Sequence, residues 1–147
     1  MTSYLLDTNI LLRFCDSASP QHPIAVNSVA VLLTRGEQVF LSAQNLIEYW
    51  AVATRPRSAN GFDWTPHQTE LEIGRLLNLL LFLEDSPGIF AHWRDLVLRY
   101  AVSGKQVHDA RLVAVMMAHG ISHLITFNTS DFARYSSITV VHPASVK

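Results

Sequence analysis

Short apolar segments set between helix-length stretches constrain this chain more than any other feature. Ser3–Leu6, Gln38–Leu41, Ser122–Thr126 and Ile138–Val141 are brief runs dominated by Leu, Ile, Val and Phe. Strands buried on both faces read as unbroken apolar runs, whereas strands with one wet face alternate. The stretches between them carry helix signals. Gly36 ends a helix over Ile24–Thr34, and Ser42 is an N-cap for a helix running to about Arg55. Thr65-Pro66-His67-Gln68 combines an N-cap, a proline at the first helical position and a glutamine three residues on. Ser86-Pro87 opens a helix to about Tyr100, and Gly120 stops an amphipathic helix over Val107–His119. The apolar run Leu76–Leu83 is expected to pass from helix into a short buried strand. Polar turns fall at Asp7-Thr8-Asn9, which leads into one or two helical turns over Ile10–Phe14, and at Asn128–Phe132. Pro56–Trp64 reads as a loop. Strands alternating with helices predict an α/β fold, a mainly parallel central sheet flanked by helices on both faces. With no repeat or linker, residues 1–147 are expected to form one domain.

Composition narrows the class. Hydrophobic residues make up 49% of the chain, a surplus expected to end in an oligomer or partner interface. Ile24–Thr34 and Leu71–Leu83 are the candidate faces. Leu76–Leu83 contains Asn78 and falls far short of the ~20 residues that span a bilayer, so no membrane segment is expected. Asp7 and Arg13 interrupt the apolar N-terminus, and no basic leader precedes it. The single cysteine, Cys15, permits no intrachain disulfide and fits a reducing, cytoplasmic setting. Its expected role is that of a small apolar residue. A net charge of −1 argues against a protein that coats nucleic acid, but not against a local basic rim.

Four acidic residues stand where the local pattern does not require them. Asp7 closes the first strand, Glu48 sits within the helix after Ser42, Asp109 lies in the first turn of the helix after Gly104, and Asp131 follows Ser122–Thr126. Each has an ordinary explanation. Asp7 caps a helix, Glu48 faces water, Asp109 answers the helix dipole and Asp131 belongs to a turn. Yet in a parallel sheet the carboxyl ends of the strands open on one crevice, which draws Asp7 and Asp131 together despite their separation in sequence. Glu48 shares its helical stripe with Gln44, Asn45, Ala51 and Val52, half-polar and suited either to a pocket or to solvent.

Asp7-Thr8-Asn9 after an N-terminal strand, helical Glu48, Gly104 followed by His108-Asp109-Ala110, and Thr126 with Asp131-Phe132 resemble, in that order, the PIN domain. The resemblance spans essentially the whole chain and is nearest to VapC-like toxins. It implies a three-layer PIN-like sandwich and a metal site built from Asp7, Glu48, Asp109 and Asp131. Thr8, Asn9, Thr126 and Asn128 would position carboxylates or water around it. Many members carry an acid where this chain has Asn128, which leaves a second metal open. The implied activity is endoribonuclease cleavage by metal-activated water, leaving a 5′-phosphate and a 3′-hydroxyl. Implied partners are an RNA substrate, a small antitoxin whose tail lies over the groove, and a second copy in a homodimer.

The residue inventory agrees with that chemistry. Clustered carboxylates without thiolates or paired histidines suit Mg²⁺ or Mn²⁺. His108 is turned about 100° from Asp109 on a helix and is expected to start the helix or pack. Arg13, Arg55, Arg57, Lys105, Arg111 and Arg134 are candidates for the rim, with Arg13, Arg55, Lys105 and Arg111 foremost as RNA contacts; most surface arginines, however, serve solubility. Phe62 and Trp64 either stack on bases or pack, while Trp50 and Trp93 belong to core or interface. Two rival classes remain. A phosphoacceptor receiver domain needs an acidic pair closing the first strand and a late lysine, which Asp7, Lys105 and Lys147 fit poorly. A catalytically weak PIN scaffold, binding RNA or protein, is kept alive by Asn128.

Overall fold

The computed structural model describes residues 1–147. Its centre is a five-stranded sheet made of β1 (Ser3–Leu6), β2 (Gln38–Ser42), β3 (Leu81–Leu83), β4 (His123–Ile125) and β5 (Thr139–Val141). The strand order is β3-β2-β1-β4-β5, and every neighbouring pair is parallel. Adjacent residues of a strand point to opposite faces, and the two cores follow from this. Leu6, Val39, Leu41 and Ile125 enter one apolar cluster, whereas Leu5 and Leu124 enter the other. The first cluster is completed by α1 (Thr8–Phe14), α2 (His22–Thr34), α3 (Ala43–Ala53) and α4 (Pro66–Leu79). The second is completed by α5 (Ile89–Arg99), α6 (Gln106–His119) and the single turn α7 (Thr129–Phe132). The expected three-layer architecture is therefore present, with a sheet that is entirely parallel.

The capping signals act as read. Ser42 and Thr65 each form reciprocal caps with the residue three positions on, Asn45 and Gln68. Gly120 ends α6 in the left-handed conformation at φ 69°. Several boundaries differ. α5 begins at Ile89 and not at Ser86, because Gly88 turns the chain at φ 96° just before it. The segment Asn128–Phe132 closes into a helical turn. β3 is a sheet edge and not a buried strand, with Leu81 and Phe82 exposed at 47% and 41%. An apolar run does not disclose that its strand has only one neighbour. No helix is long and apolar enough to cross a membrane.

The loop before α4 turns inward. Asn60 and Asp63 adopt positive φ, and a Cβ on Gly61 would lie 2.2 Å from the Arg55 carbonyl oxygen, so only glycine fits there. This folding packs Phe62 and Trp64 against the first core, with Trp64 edge-on to Tyr49. The two rings thus take the packing alternative and not the base-stacking one. Cys15 also packs there, and burial pushes its thiol pKa up.

Candidate active site

β1 and β4 are central neighbours whose chains depart in different directions, β1 into α1 and β4 into α7, a topological switch that opens a crevice beyond their carboxyl ends. Asp7 is the first residue past β1. Its backbone N–H stays in the sheet, donating to the Ile125 carbonyl at 2.9 Å. One carboxylate oxygen accepts from the Thr8 N–H and the other from the Thr126 hydroxyl, both at 2.8 Å. Thr126 Oγ1 in turn accepts from the Asn9 carboxamide at 3.3 Å and from the Asn128 N–H at 3.0 Å. With two donors aimed at the oxygen, its proton is directed to Asp7.

Glu48 is held by a second chain of hydrogen bonds. The Thr8 hydroxyl donates to Glu48 Oε1 at 3.0 Å and accepts from Asn45 Nδ2 at 3.1 Å. The carboxamide oxygen of Asn45 accepts from both the Ser42 N–H and the Ser42 hydroxyl, at 2.9 and 2.8 Å. That fixes which end of the amide faces Thr8, and hence that Thr8 donates to Glu48 and not the reverse. Ser42, Asn45 and Thr126 are fully buried.

Asp109 and Asp131 complete the arrangement from α6 and α7. With Glu48 they line a basin of about 510 Å³ that has no hydrophobic residue in its wall. Burial, followed by repulsion from Asp7, Asp131 and Glu48, raises the Asp109 pKa from 3.8 to about 7. Burial also raises Asp7 to about 6, against the lowering hydrogen bonds from Thr126 and Thr8. Glu48 is raised by burial as well. Three carboxyls that resist ionisation in one place form a centre that a cation would relieve. No group of three Asp, Glu, His or Cys side chains is placed to hold a metal ion by itself. An open oxygen set of this kind fits Mg²⁺, which keeps waters and takes one or two carboxylates together with substrate phosphate.

The PIN domain family model matches residues 4–138. The chain belongs to the PIN domain family. No curated protein matches it at a significant level. Among solved structures it is similar to VapBC2 from Rickettsia felis bound to a promoter DNA fragment, at 16% identity and TM-score 0.71, covering 95% of this chain and 97% of that one. A toxin–antitoxin complex from Klebsiella pneumoniae aligns at 25% identity and TM-score 0.67, over 96% and 98% of the two chains. Mycobacterium tuberculosis VapC20, a toxin that cleaves the sarcin–ricin loop, aligns at 17% identity and TM-score 0.66, over 93% and 99%.

In this PIN domain the basic candidates divide by position. Arg55 and Lys105 line the acidic basin. Arg111 borders an adjoining groove, where it donates to Gln44 at 2.9 Å and to Asp85 at 3.2 Å. Arg134 donates to Gln106 at 2.6 Å and draws the Asp109 pKa down. Arg13 and Arg57 line a different concavity beside Cys15 and Trp64, and Arg13 faces Asp16 at 3.9 Å. They are not brought to the basin. Asn128 contributes its backbone N–H, while its exposed side chain does not cap the following turn. His108 lies in the first turn of α6, exposed, and borders the basin. The polar stripe around Glu48 faces the site, since Asn45 reaches Thr8 and Gln44 reaches the His108 carbonyl at 2.8 Å. The positioning role of Asn45 had no separate signal in the sequence, because the Ser42-to-Asn45 spacing reads only as a cap.

Proposed function

We propose that this PIN domain is a Mg²⁺- or Mn²⁺-dependent endoribonuclease, the toxin of a VapBC-like toxin–antitoxin pair. The observation that carries the reading is a polar basin at the sheet's switch point walled by Glu48, Asp109 and Asp131 together with Arg55 and Lys105, with Asp7 buried close enough to feel the charges of Glu48 and Asp131. When bound, the cation would supply Lewis-acid stabilisation of the phosphate and a lower pKa for a coordinated water.

The chain's own residues have distinct parts. Asp7 and Glu48, oriented by Thr126 and Thr8, are fixed ligands. Asp109 carries no competing hydrogen bond and is free to accept the proton of the attacking water. Arg55 and Lys105 hold flanking phosphates of the strand. Water as the nucleophile gives a 5′-phosphate and a 3′-hydroxyl. The fold likeness to VapBC complexes supports an antitoxin partner. The exposed apolar strip Leu71, Leu77, Leu79, Leu81 and Phe82 is the surface we assign to a homodimer contact. In α2 only Ile24 among the large apolar residues is exposed, which leaves that helix to the core.

The test is cleavage of structured RNAs by the protein freed of any inhibitor, with Mg²⁺, Mn²⁺ or EDTA. Cleavage that needs metal and leaves 5′-phosphates is expected. A 2′,3′-cyclic phosphate product would rule out direct water attack. Mn²⁺ binding without cleavage of any RNA would favour the binding-scaffold alternative.

A further inference from the structure

A second cavity, of about 430 Å³, lies between the first halves of α5 and α6, within the range of roughly 300–1,000 Å³ usual for small-ligand sites. Its apolar wall is Ile89, Phe90, Trp93 and Val107. Phe90 is 68% exposed and lies against the ring of Trp93. The two rings lie 5.6 Å apart at 31°. Trp93 is held in place because its indole N–H donates to the Val107 carbonyl at 2.8 Å. The result is a fixed aromatic platform with open space in front of it.

The rim is polar. Arg111 is held at the mouth by Gln44 and Asp85, which use two of its five N–H donors. The Gln44 that holds it is itself buried and anchored on the His108 carbonyl. Arg111, His108 and Asp85 border both this cavity and an adjoining groove, and Glu48 and His108 carry that groove into the acidic basin. Cavity, groove and basin form one continuous track.

Resting on the ribonuclease reading above, we propose that this cavity receives a nucleobase of the RNA strand whose phosphate occupies the basin, stacked against Phe90 and Trp93 with its polar edge toward Arg111 and Asp85. A base is a small planar group with apolar faces and a hydrogen-bonding rim, and the cavity offers the complement of both. Sequence-specific recognition of single-stranded RNA works through such stacking and edge contacts. A purely aliphatic anchor from a protein partner would leave the remaining N–H donors of Arg111 unmatched. The subsite would make base preference a property of α5 and α6, separate from the carboxylates that cut.

The experiment titrates the four homotrinucleotides into the whole protein in EDTA, where cleavage is off, and follows tryptophan emission. Trp50 and Trp64 pack on the opposite core, and Trp93→Phe identifies the responding ring. Saturable quenching with one base preferred is expected, weakened about tenfold by Phe90→Ala, a change at an exposed position. In metal, Phe90→Ala should also erase base preference at one position beside the cut. No quenching by any trinucleotide, identical quenching in Phe90→Ala, or a response confined to an amphipathic helical peptide would overturn the assignment. RNA cleavage without these effects leaves the nuclease standing and removes the subsite. Base-selective quenching without cleavage supports the subsite and removes the nuclease.

Discussion

The two walls of the acidic site, the basin together with the buried Asp7 beside it, are built differently. On the β1–α3 wall, Asp7 and Glu48 are held by buried chains of hydrogen bonds running through Thr126, Asn9, Thr8, Asn45 and Ser42. On the α6–α7 wall, Asp109 and Asp131 make no such bonds, and the charged partner near Asp109 is Arg134, whose hydrogen bond goes to Gln106. The first wall is fixed by the fold alone. The second consists of carboxylates in first helical turns that no hydrogen bond fixes. Preorganised ligands lessen the cost of binding, while free ones adapt to the changing charge of a reaction.

The largest expected effect tests whether both walls are needed. Asp7→Asn and Asp109→Asn should each lower RNA cleavage by more than the 10–100-fold typical of changes in groups that only support a ligand. Their effects on the metal-free protein should differ. Asp109→Asn removes an ionisable group the fold disfavours and leaves no partner unpaired, so it should raise Tm in EDTA. Asp7→Asn turns an acceptor that serves Thr126 into a group with a competing donor, and should gain less. Equal stabilisation by both would erase the distinction between the walls.

Next in size are changes that leave all four carboxylates in place. Asn45→Asp keeps an acceptor for Ser42 but replaces the donor facing Thr8 with a second acceptor, so the Thr8 hydroxyl turns away from Glu48. Thr126→Val deletes the donor to Asp7. Each should lower Mn²⁺ affinity and activity about 10–100-fold with the fold retained, as read by calorimetry and cleavage rate. Gln106→Ala, on the looser wall, should change both little. A comparable loss in Gln106→Ala would show that the second wall is held too.

The smallest effect is on stability against pH. The folded-state pKa values of Asp7 and Asp109, about 6 and about 7, lie above the ordinary aspartate value of 3.8. Relative to the unfolded chain, the fold therefore favours the protonated forms. This contribution is full below about pH 4 and is lost as pH rises through 6 to 7. Metal-free protein should accordingly be more stable near pH 5 than near pH 8, by on the order of 2 kcal/mol, Asp109 adding less than its shift suggests because water screens its half-open position. Saturating Mn²⁺ at pH 8 should restore the difference. A flat profile in EDTA would mean that the carboxylates are farther apart in solution.

The sequence discloses the two walls unequally. Fold order is legible because strand runs and caps such as Ser42, Thr65-Pro66 and Gly120 are local signals. Asp7, Glu48, Asp109 and Asp131 are legible as acids out of place. The supporting bonds are not, since Thr126 and Asn9 meet across 117 positions and no short-range pattern encodes that. Nor does sequence distinguish Trp64, folded inward by Asn60, Gly61 and Asp63, from an exposed aromatic, or β3 at the sheet edge from a buried strand. For His108, adjacency on a helix predicts its direction but not the three concavities that meet there.

Leu5 and Leu6 anchor opposite cores, and Asp7 is the next residue. A slip of one residue in β1 would exchange the two leucines between cores, so the strand has no neighbouring register to visit. Asp7 cannot leave its place by local fraying while both cores hold. Its amide, bonded to Ile125 in the middle of the sheet, belongs with the protons that exchange only when the whole domain opens. That side of the site is thus as durable as the fold itself, and an inhibitor acting on Asp7 has to cover it, since it cannot be displaced.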